Sequence, residues 1–375
     1  MAGIYLHIPF CRKACHYCDF HFTTTGTYVA RMIDDMLHEM AIRRDELGGG
    51  EVQTIYFGGG TPSLLSHGDI CRLIDKVYEL FPVGSSPEIT LEANPDDLNA
   101  SRIRELASSP VNRLSIGIQS FVPAHLVWMN RAHTAREAEY SVKASQDAGF
   151  TNITVDLIYG IPAMTFAEWI DNVNSVIGLN VPHVSAYCLT IEPDTVFGRY
   201  AAAGKLKAAP SEQSADQFIF MVESLAAAGI KQYEVSNFAV PGFESRHNSA
   251  YWSGAAYLGI GPSAHSFDGN NRSWNVANNH LYMKGIETGI PARETEVLDD
   301  RMRYNESIMT ALRTTNGVDL NRISTLYGVN LSEEYEEYLA SLTNIGDALI
   351  SDGFLKLTTQ GMLKADRIAS DLFKV

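Results

Sequence analysis

Along the first half of the chain, short apolar runs rich in β-branched and aromatic residues alternate with segments of helical period. The runs are Gly3–Phe10, Thr54–Phe57, Glu88–Ala93, Arg113–Gln119, Asn152–Tyr159 and Val184–Ile191. Between them lie helical patterns at Tyr28–Glu46, Gly68–Leu80, Ser101–Ala107, Thr134–Ala148 and Phe166–Ile177. The hydrophobicity of the runs reads as continuous, which is what strands covered on both faces need, so a parallel sheet is expected. Strand and helix repeated about six times predict a doubly wound sheet or an incomplete barrel. Turn chemistry marks the boundaries: Gly58-Gly59-Gly60-Thr61-Pro62-Ser63 closes the second strand and Ala148-Gly149-Phe150 ends the helix before the fifth.

After Ile191 the regularity lapses. Residues 193–210 are mixed, Glu212–Ala228 reads as a helix, and Gly254–Asn279 is rich in Gly, Ser and Asn without a strong period. From about Asp300 the texture becomes helices with short connections. Arg301–Leu312, Leu320–Tyr327 and Leu331–Ile350 read as helical, and Phe354–Thr358 reads as a small strand followed by a turn at Thr359-Gln360-Gly361. The fold class expected is α/β, a partial (β/α)6 TIM-type barrel with a smaller, mostly helical C-terminal domain. Its organisation is expected as 1–265 for the barrel and its extension, 266–299 for a connecting segment, and 300–375 for the helical domain with a small β-wing.

Bulk properties narrow the partners. The formal net charge is −15 over 375 residues, which argues against a broad basic surface and hence against nucleic acid. No apolar run reaches the roughly 18 residues that span a bilayer, and no secretory leader pattern opens the chain. A cytoplasmic location is the expectation. Five cysteines in such a chain do not suggest a disulfide framework. Cys71 and Cys188 stand alone and read as small buried hydrophobes on a helix and a strand.

The other three cysteines form one run, Cys11-Arg12-Lys13-Ala14-Cys15-His16-Tyr17-Cys18, just after the first strand. Thiolates spaced C-x3-C-x2-C on a tight loop can wrap one face of a cubane cluster, each sulfur reaching a different iron. Three ligands leave one iron open for chemistry or chelation. A closed zinc site wants four ligands, here Cys3His with His7, His16 or His21 as the fourth. Elsewhere, polar residues interrupt the apolar strands. Glu92 and Gln119 fall toward the C-terminal ends of the third and fourth strands, and Asp156 lies on the fifth. Barrel active sites gather at that face. A buried carboxylate needs a partner, so the alternative for Asp156 is an internal salt bridge with Arg113 or Arg131.

The cysteine run after Ile4-Tyr5-Leu6-His7-Ile8-Pro9-Phe10 resembles the radical SAM superfamily, and more narrowly its coproporphyrinogen III dehydrogenase-like, HemN-like branch, over nearly the whole chain. The resemblance implies a [4Fe-4S] cluster on Cys11, Cys15 and Cys18, with S-adenosylmethionine (SAM) chelating the fourth iron. Tyr5, Tyr17, Gly59, Gly60, Thr61 and Glu92 match the SAM contacts of that family. Gln119, Arg131 and Asp156 match residues that contact a second SAM in the dehydrogenase. The sequence departs from the dehydrogenase at Phe20, where that enzyme has a fourth cysteine, and porphyrinogen chemistry is thereby put in doubt. The run His247-Asn248-Ser249-Ala250-Tyr251-Trp252 resembles instead the H-N-x-x-Y-W signature of the HemW group of haem chaperones. That likeness implies haem as ligand, His247 as its axial ligand, and transfer to an acceptor protein, with a membrane-associated acceptor and a homodimer among the expected partners. The alternative it leaves is a radical SAM enzyme, an oxygen-independent coproporphyrinogen III oxidase or a related methyltransferase. His265 stands in a Gly-rich run, Gly259–His265, that resembles the family's closing loop; no role is assigned to it.

Overall fold

The computed structural model describes residues 2–374. Strand and helix alternate through β1 (Ala2–Ile8), α1 (Val29–Ile42), β2 (Val52–Gly59), α2 (His67–Leu80), β3 (Val83–Ala93) and α3 (Ala100–Ala107). The series continues with β4 (Arg113–Gln119), α4 (Pro123–Trp128), α5 (Ala135–Asp147), β5 (Ile153–Tyr159), α6 (Phe166–Gly178) and β6 (His183–Cys188). These six strands are parallel neighbours in sequence order, the topology that right-handed crossovers through helices produce. The α5 and α6 helices start where expected because each carries a capping box, Thr134 with Glu137 and Thr165 with Glu168.

The strands do not read as strands buried alike on both faces. Ile4, Leu6 and Ile8 of β1, Ile55 and Phe57 of β2, and Ile89 and Leu91 of β3 belong to the core. Between them stand Gly3, Tyr5 and His7, then Thr54, Tyr56 and Gly58, then Glu88, Thr90 and Glu92. Register places these polar and glycine positions side by side, Gly3 with Thr54, Tyr5 with Tyr56 and Thr54 with Glu88. The alternation continues through Arg113, Ser115 and Gly117 of β4, Thr154 and Asp156 of β5, and His183, Ser185 and Tyr187 of β6. The outer face is therefore the apolar one. It is met by stripes such as Met32, Ile33, Met36 and Met40 of α1 and Ile70, Leu73, Ile74 and Val77 of α2. The inner face is polar.

The second half contributes more sheet than its composition suggests. It contains α7 (Val196–Ala202), α8 (Ser211–Ala227), β7 (Lys231–Glu234), β8 (Asn237–Ala239) and α9 (Arg246–Ser253). Then come β9 (Ala256–Ile260), β10 (His265–Phe267), β11 (Asn271–Asn275), α10 (Asn279–Glu287) and β12 (Arg293–Val297). The sheet has twelve strands in the order β12-β11-β10-β9-β1-β2-β3-β4-β5-β6-β8-β7. Thus 254–279, without period in sequence, builds β9, β10 and β11, and 266–299, read as a connection, extends the sheet that β1 belongs to. Its polar residues serve buried hydrogen bonds, which is why no apolar pattern marks it. Glu39 on α1 is fully buried and accepts from Gly261 N (2.8 Å), Asn275 Nδ2 (2.7 Å) and Tyr282 OH (2.6 Å). Arg43 pairs with Glu39 at 2.8 Å and donates to Gly259 O and Ser266 Oγ.

The C-terminal part holds α11 (Asp300–Leu312), β13 (Val318–Asp319), α12 (Leu320–Tyr327), α13 (Leu331–Glu334) and α14 (Glu336–Asn344). It closes with β14 (Ala348–Ser351), β15 (Phe354–Leu357), α15 (Thr359–Met362) and α16 (Ala365–Asp371). The helix expected over 331–350 stops at Asn344, where Gly346 takes φ +80°, and its end becomes β14 of a three-stranded β13-β15-β14 sheet. The turn expected at 359–361 is the short helix α15, capped by Thr358. Among the described residues no helix is long and apolar enough to cross a membrane.

Candidate functional site

The polar inner face forms two tiers. At its foot Thr54, Glu88, Arg113, Thr154 and His183 are buried, covered by α9. Backbone N–H groups of Arg246 and His247 donate to Glu88, and Arg113 donates to Asn152 Oδ1, Thr154 Oγ1 and Phe243 O. Above this layer Tyr5, Tyr56, Glu92 and Asp156 are only partly covered, and Tyr187 is exposed. The result is a bowl closed below and open toward the C-terminal ends of the strands.

The cysteine loop sits at that open end. It is stitched in place by Cys11 N to Thr23 O, His16 N to Met129 O, Asn130 Nδ2 to Ala14 O and Phe197 N to His16 O. Cys11 Sγ accepts from Thr61 Oγ1 at 3.4 Å and Cys15 Sγ from Arg131 Nη1 at 3.3 Å, while the Phe20 N–H donates to Cys18. Burial pushes the Cys11 thiol up to about 11 and the Cys18 thiol up to about 12. Among the described residues no three His, Cys, Asp or Glu side chains converge on one ion, as a closed zinc site demands. Three sulfurs on one loop, each with its own donor, instead fit a cubane whose irons are bound separately and whose sulfurs take hydrogen bonds.

Arg131 organises the bowl's rim. It donates to Asn94 Oδ1 and Gly117 O, both at 2.6 Å, and reaches Tyr17 OH at 3.4 Å. Burial alone would lower its pKa, but Tyr17 and Cys15 beside it raise it overall. Asn94 also donates to Thr61 Oγ1 at 3.1 Å, linking two of the sulfur donors. Glu92 accepts from Tyr56 OH at 2.8 Å and Gly59 N at 3.2 Å, and burial, with repulsion from Asp156, lifts its carboxyl to about 7. Asp156 accepts from Ser115 at 3.2 Å and is lifted to about 6, again mainly by burial. Neither Arg113 nor Arg131 forms an ion pair with it; Arg113 faces Glu88 at 3.8 Å instead. Two acids without a cation therefore face the open bowl, as a cationic ligand requires.

The glycines have a reason independent of any ligand. Gly59 lies at φ +105°, and a Cβ there would come within 2.5 Å of the His7 ring. A Cβ on Gly60 would meet Phe10 O at 2.7 Å. Gln119 ends β4 in the left-handed region at φ +69°, its amide folded over Gly117.

His247, expected as a haem ligand, lies on α9. It is 2% exposed, accommodated at the foot against Tyr56 at 4.9 Å between ring centroids. Nδ1 is bonded to Thr54 Oγ1 at 2.7 Å and Nε2 to Tyr251 OH at 2.9 Å, and burial lowers its pKa to about 3. Both ring nitrogens carry a hydrogen bond here. The run from His247 to Trp252 belongs to the α9 plug, away from the cysteine loop. The isolated cysteines depart from expectation: Cys188 is exposed and Cys71 half-buried. Sequence reasoning passed over Tyr56, Asn94 and Ser115. The alternation Thr54-x-Tyr56-x-Gly58 and Glu88-x-Thr90-x-Glu92 is the signal that finds them.

Comparison with known proteins agrees with this geometry. The model for the radical SAM superfamily matches residues 5–176, and that for the HemN C-terminal domain matches residues 298–363. The heme chaperone HemW of Bacillus subtilis is 35% identical over 98% of each chain, and that of Lactococcus lactis 37% identical over 91% of this chain and 89% of the other. Among solved structures, coproporphyrinogen III oxidase (HemN) from Escherichia coli, described as a radical SAM enzyme, superposes with TM-score 0.83 at 23% identity, covering 98% of this chain and 89% of that one. At that identity the likeness establishes the fold, a radical SAM α/β architecture with a mostly parallel central sheet and a helical C-terminal region. Membership of the superfamily implies an iron-sulfur cluster and SAM. By near-full-length identity to its curated relatives, the chain belongs to the HemW family of the radical SAM superfamily.

Proposed function

We propose that this protein is a haem chaperone: it binds haem and passes it to an acceptor protein, with a [4Fe-4S] cluster on Cys11, Cys15 and Cys18 and SAM at the open iron. The observation that carries the reading is the 35% identity to a heme chaperone over 98% of both chains. Phe20, in the place of the dehydrogenase's fourth cysteine, is 68% exposed and offers no ligand, which favours carriage over porphyrinogen turnover.

When bound, the cluster and SAM supply electron transfer into the sulfonium. The chain's own residues hold and shield them. Thr61 and Arg131 donate to two of the sulfurs, and hydrogen bonds and charge at the sulfurs set a cluster's potential. Glu92 and Asp156 present carboxyls toward the open bowl, where a cationic ligand displaces their protons. Tyr5 and Tyr56 stack at 6.0 Å and floor the bowl with flat apolar surface. Tyr17, Gly59, Gly60 and Gln119 complete its rim.

Hemin titration of the anaerobically reconstituted protein tests the reading. A saturable Soret shift is expected, with about four irons and four sulfides per chain before hemin is added. Formation of 5′-deoxyadenosine coupled to decarboxylated porphyrinogen would instead make the protein an oxidase and overturn it.

A further inference from the structure

Asn94 does not do what its position predicts. It follows β3 and stands at the start of a single 3₁₀ turn, Pro95–Asp97, where an asparagine side chain ordinarily caps the next backbone N–H groups. Its side chain makes no such bond. The amide reaches sideways instead: Oδ1 accepts from Arg131 Nη2 at 2.6 Å, and Nδ2 donates to Thr61 Oγ1 at 3.1 Å. The backbone beneath it is fixed independently. Asn94 N–H donates to Ser63 Oγ at 3.4 Å, Ser63 donates to Asp97 at 2.7 Å, and Asp97 pairs at 2.8 Å with Arg12, the neighbour of Cys11.

We propose that Asn94 is a positioning residue for the iron-sulfur cluster: it aims the protons of Thr61 and Arg131 at Cys11 and Cys15, and so sets the cluster's potential. The inference rests on the cluster reading of the three cysteines. Proton counting carries it. A guanidinium only donates, so the amide oxygen of Asn94 must face Arg131 and its NH2 group must face Thr61; the two partners settle which way the amide points. The Thr61 hydroxyl has one proton and already accepts from Asn94. That proton is therefore turned away from the amide, toward Cys11 Sγ at 3.4 Å. A hydroxyl that accepts one bond is polarised and donates the next more strongly.

The same amide fixes Arg131. Nη2 spends its two protons on Asn94 Oδ1 and Gly117 O, each at 2.6 Å, and Nε has no partner among the described residues. Because the guanidinium is planar, anchoring Nη2 decides where Nη1 points. It points to Cys15 Sγ at 3.3 Å and Tyr17 OH at 3.4 Å. Gly117 leaves room for this approach, since a Cβ there would stand 3.4 Å from Nη2 and 2.9 Å from Gln119 Nε2. Cys18 takes its bond from the Phe20 backbone and lies outside the arrangement. Asn94 thus governs two sulfurs while bonding to neither, and hydrogen bonds at the sulfurs tune a cluster.

Redox titration of the anaerobically reconstituted protein tests this on wild type, Thr61→Val, Asn94→Leu, Asn94→Asp and the two Asn94 variants combined with Thr61→Val, each loaded to about four irons per chain. Leu has nearly the shape of Asn with no donor or acceptor. Asp keeps the acceptor for Arg131 but loses the donor, so the Thr61 proton turns to the carboxylate. Thr61→Val is expected to lower the midpoint potential of the wild-type chain, and to lower it by no more than about half as much in either Asn94 background. Hyperfine spectroscopy of the reduced cluster gives a second reading: Asn94→Asp should lose the exchangeable-proton coupling that Thr61→Val loses, although its Thr61 hydroxyl remains. A residue that served folding alone would change the melting midpoint or the iron uptake and leave both readings where they are. If Asn94→Leu does not hold the cluster, Asn94→Asp decides alone. Additive shifts in potential, or a coupling retained in Asn94→Asp, overturn the assignment while the cluster reading stands. Loss of the cluster from both Asn94 variants when Thr61→Val and Arg131→Met load it overturns it too, because Asn94 would then hold the loop by other means. If wild type takes up no four-iron cluster, the cluster reading falls and this assignment falls with it.

Discussion

Replacing Glu92 with Gln tests whether the bowl is built to hold an uncompensated acid. In the folded chain burial and the neighbouring Asp156 raise the Glu92 carboxyl from its ordinary 4.5 to about 7. Between those values the folded state keeps a proton that the unfolded chain releases, so stability falls as pH rises through the window and is level above it. The full difference corresponds to about 3 kcal/mol; because the side chain is partly open to solvent, about 1–2 kcal/mol is the expected effect. Gln keeps an acceptor for Tyr56 OH and carries no charge. At pH 5 Glu92→Gln and wild type should therefore unfold at similar urea concentrations. At pH 8 the variant should be the more stable by that amount. Urea titrations of the cluster-free chain at half-unit steps from pH 5 to 8 give the comparison. A gap between the two proteins that is the same at pH 5 and pH 8 would mean that Glu92 is an ordinary solvated carboxylate, and the argument for a cation-seeking bowl would fail.

Three further outcomes follow from individual contacts. Glu39→Ala leaves the Gly261, Asn275 and Tyr282 donors without this acceptor and Arg43 with Glu46 as its remaining carboxylate; about 2–4 kcal/mol should be lost, read as a lowered urea midpoint. Gly59→Ala must move the His7 ring and adopt φ +105°, a cost of about 1–3 kcal/mol, and the displaced loop should bind less iron per chain on reconstitution. Arg131→Met removes a cation from Cys15 and leaves Asn94 Oδ1 and Gly117 O unpaired. The cluster potential should fall, and about 1–3 kcal/mol of stability should go with it, measured by spectroelectrochemistry and denaturation.

The barrel half of the fold was legible because each of its devices is local. Helix starts at Thr134 and Thr165 are written in three-residue capping boxes, and the strands between them are short and apolar on one side. What misled was reading those strands as evenly apolar. Aromatic Tyr5 and Tyr56 count as hydrophobic in any scale, yet their hydroxyls bond inward to His7 and Glu92. The 254–299 region was illegible for a related reason. Its strands are held by long-range bonds from Glu39, more than 220 residues away in sequence, and no window along the chain contains both ends. The three cysteines announce themselves by spacing, whereas the partners of the two His247 ring nitrogens, Thr54 and Tyr251, are visible only in the fold.

The α9 plug also explains why the bowl's acids are perturbed at all. By sealing the foot with His247, which spends both nitrogens on Thr54 and Tyr251, and with the N–H groups that neutralise Glu88, α9 denies water access from below. Glu92 and Asp156 then face solvent from one direction only, and their protons are held more tightly than in an open trough. A pocket with one mouth must admit every ligand past the cysteine loop. Loosening the plug, with Thr54→Val for example, which removes one of the two bonds that His247 makes, should lower the pKa of Glu92 toward its ordinary value without touching the cysteines. A carboxyl resonance that still titrates near 7 in that variant would show that the seal lies elsewhere.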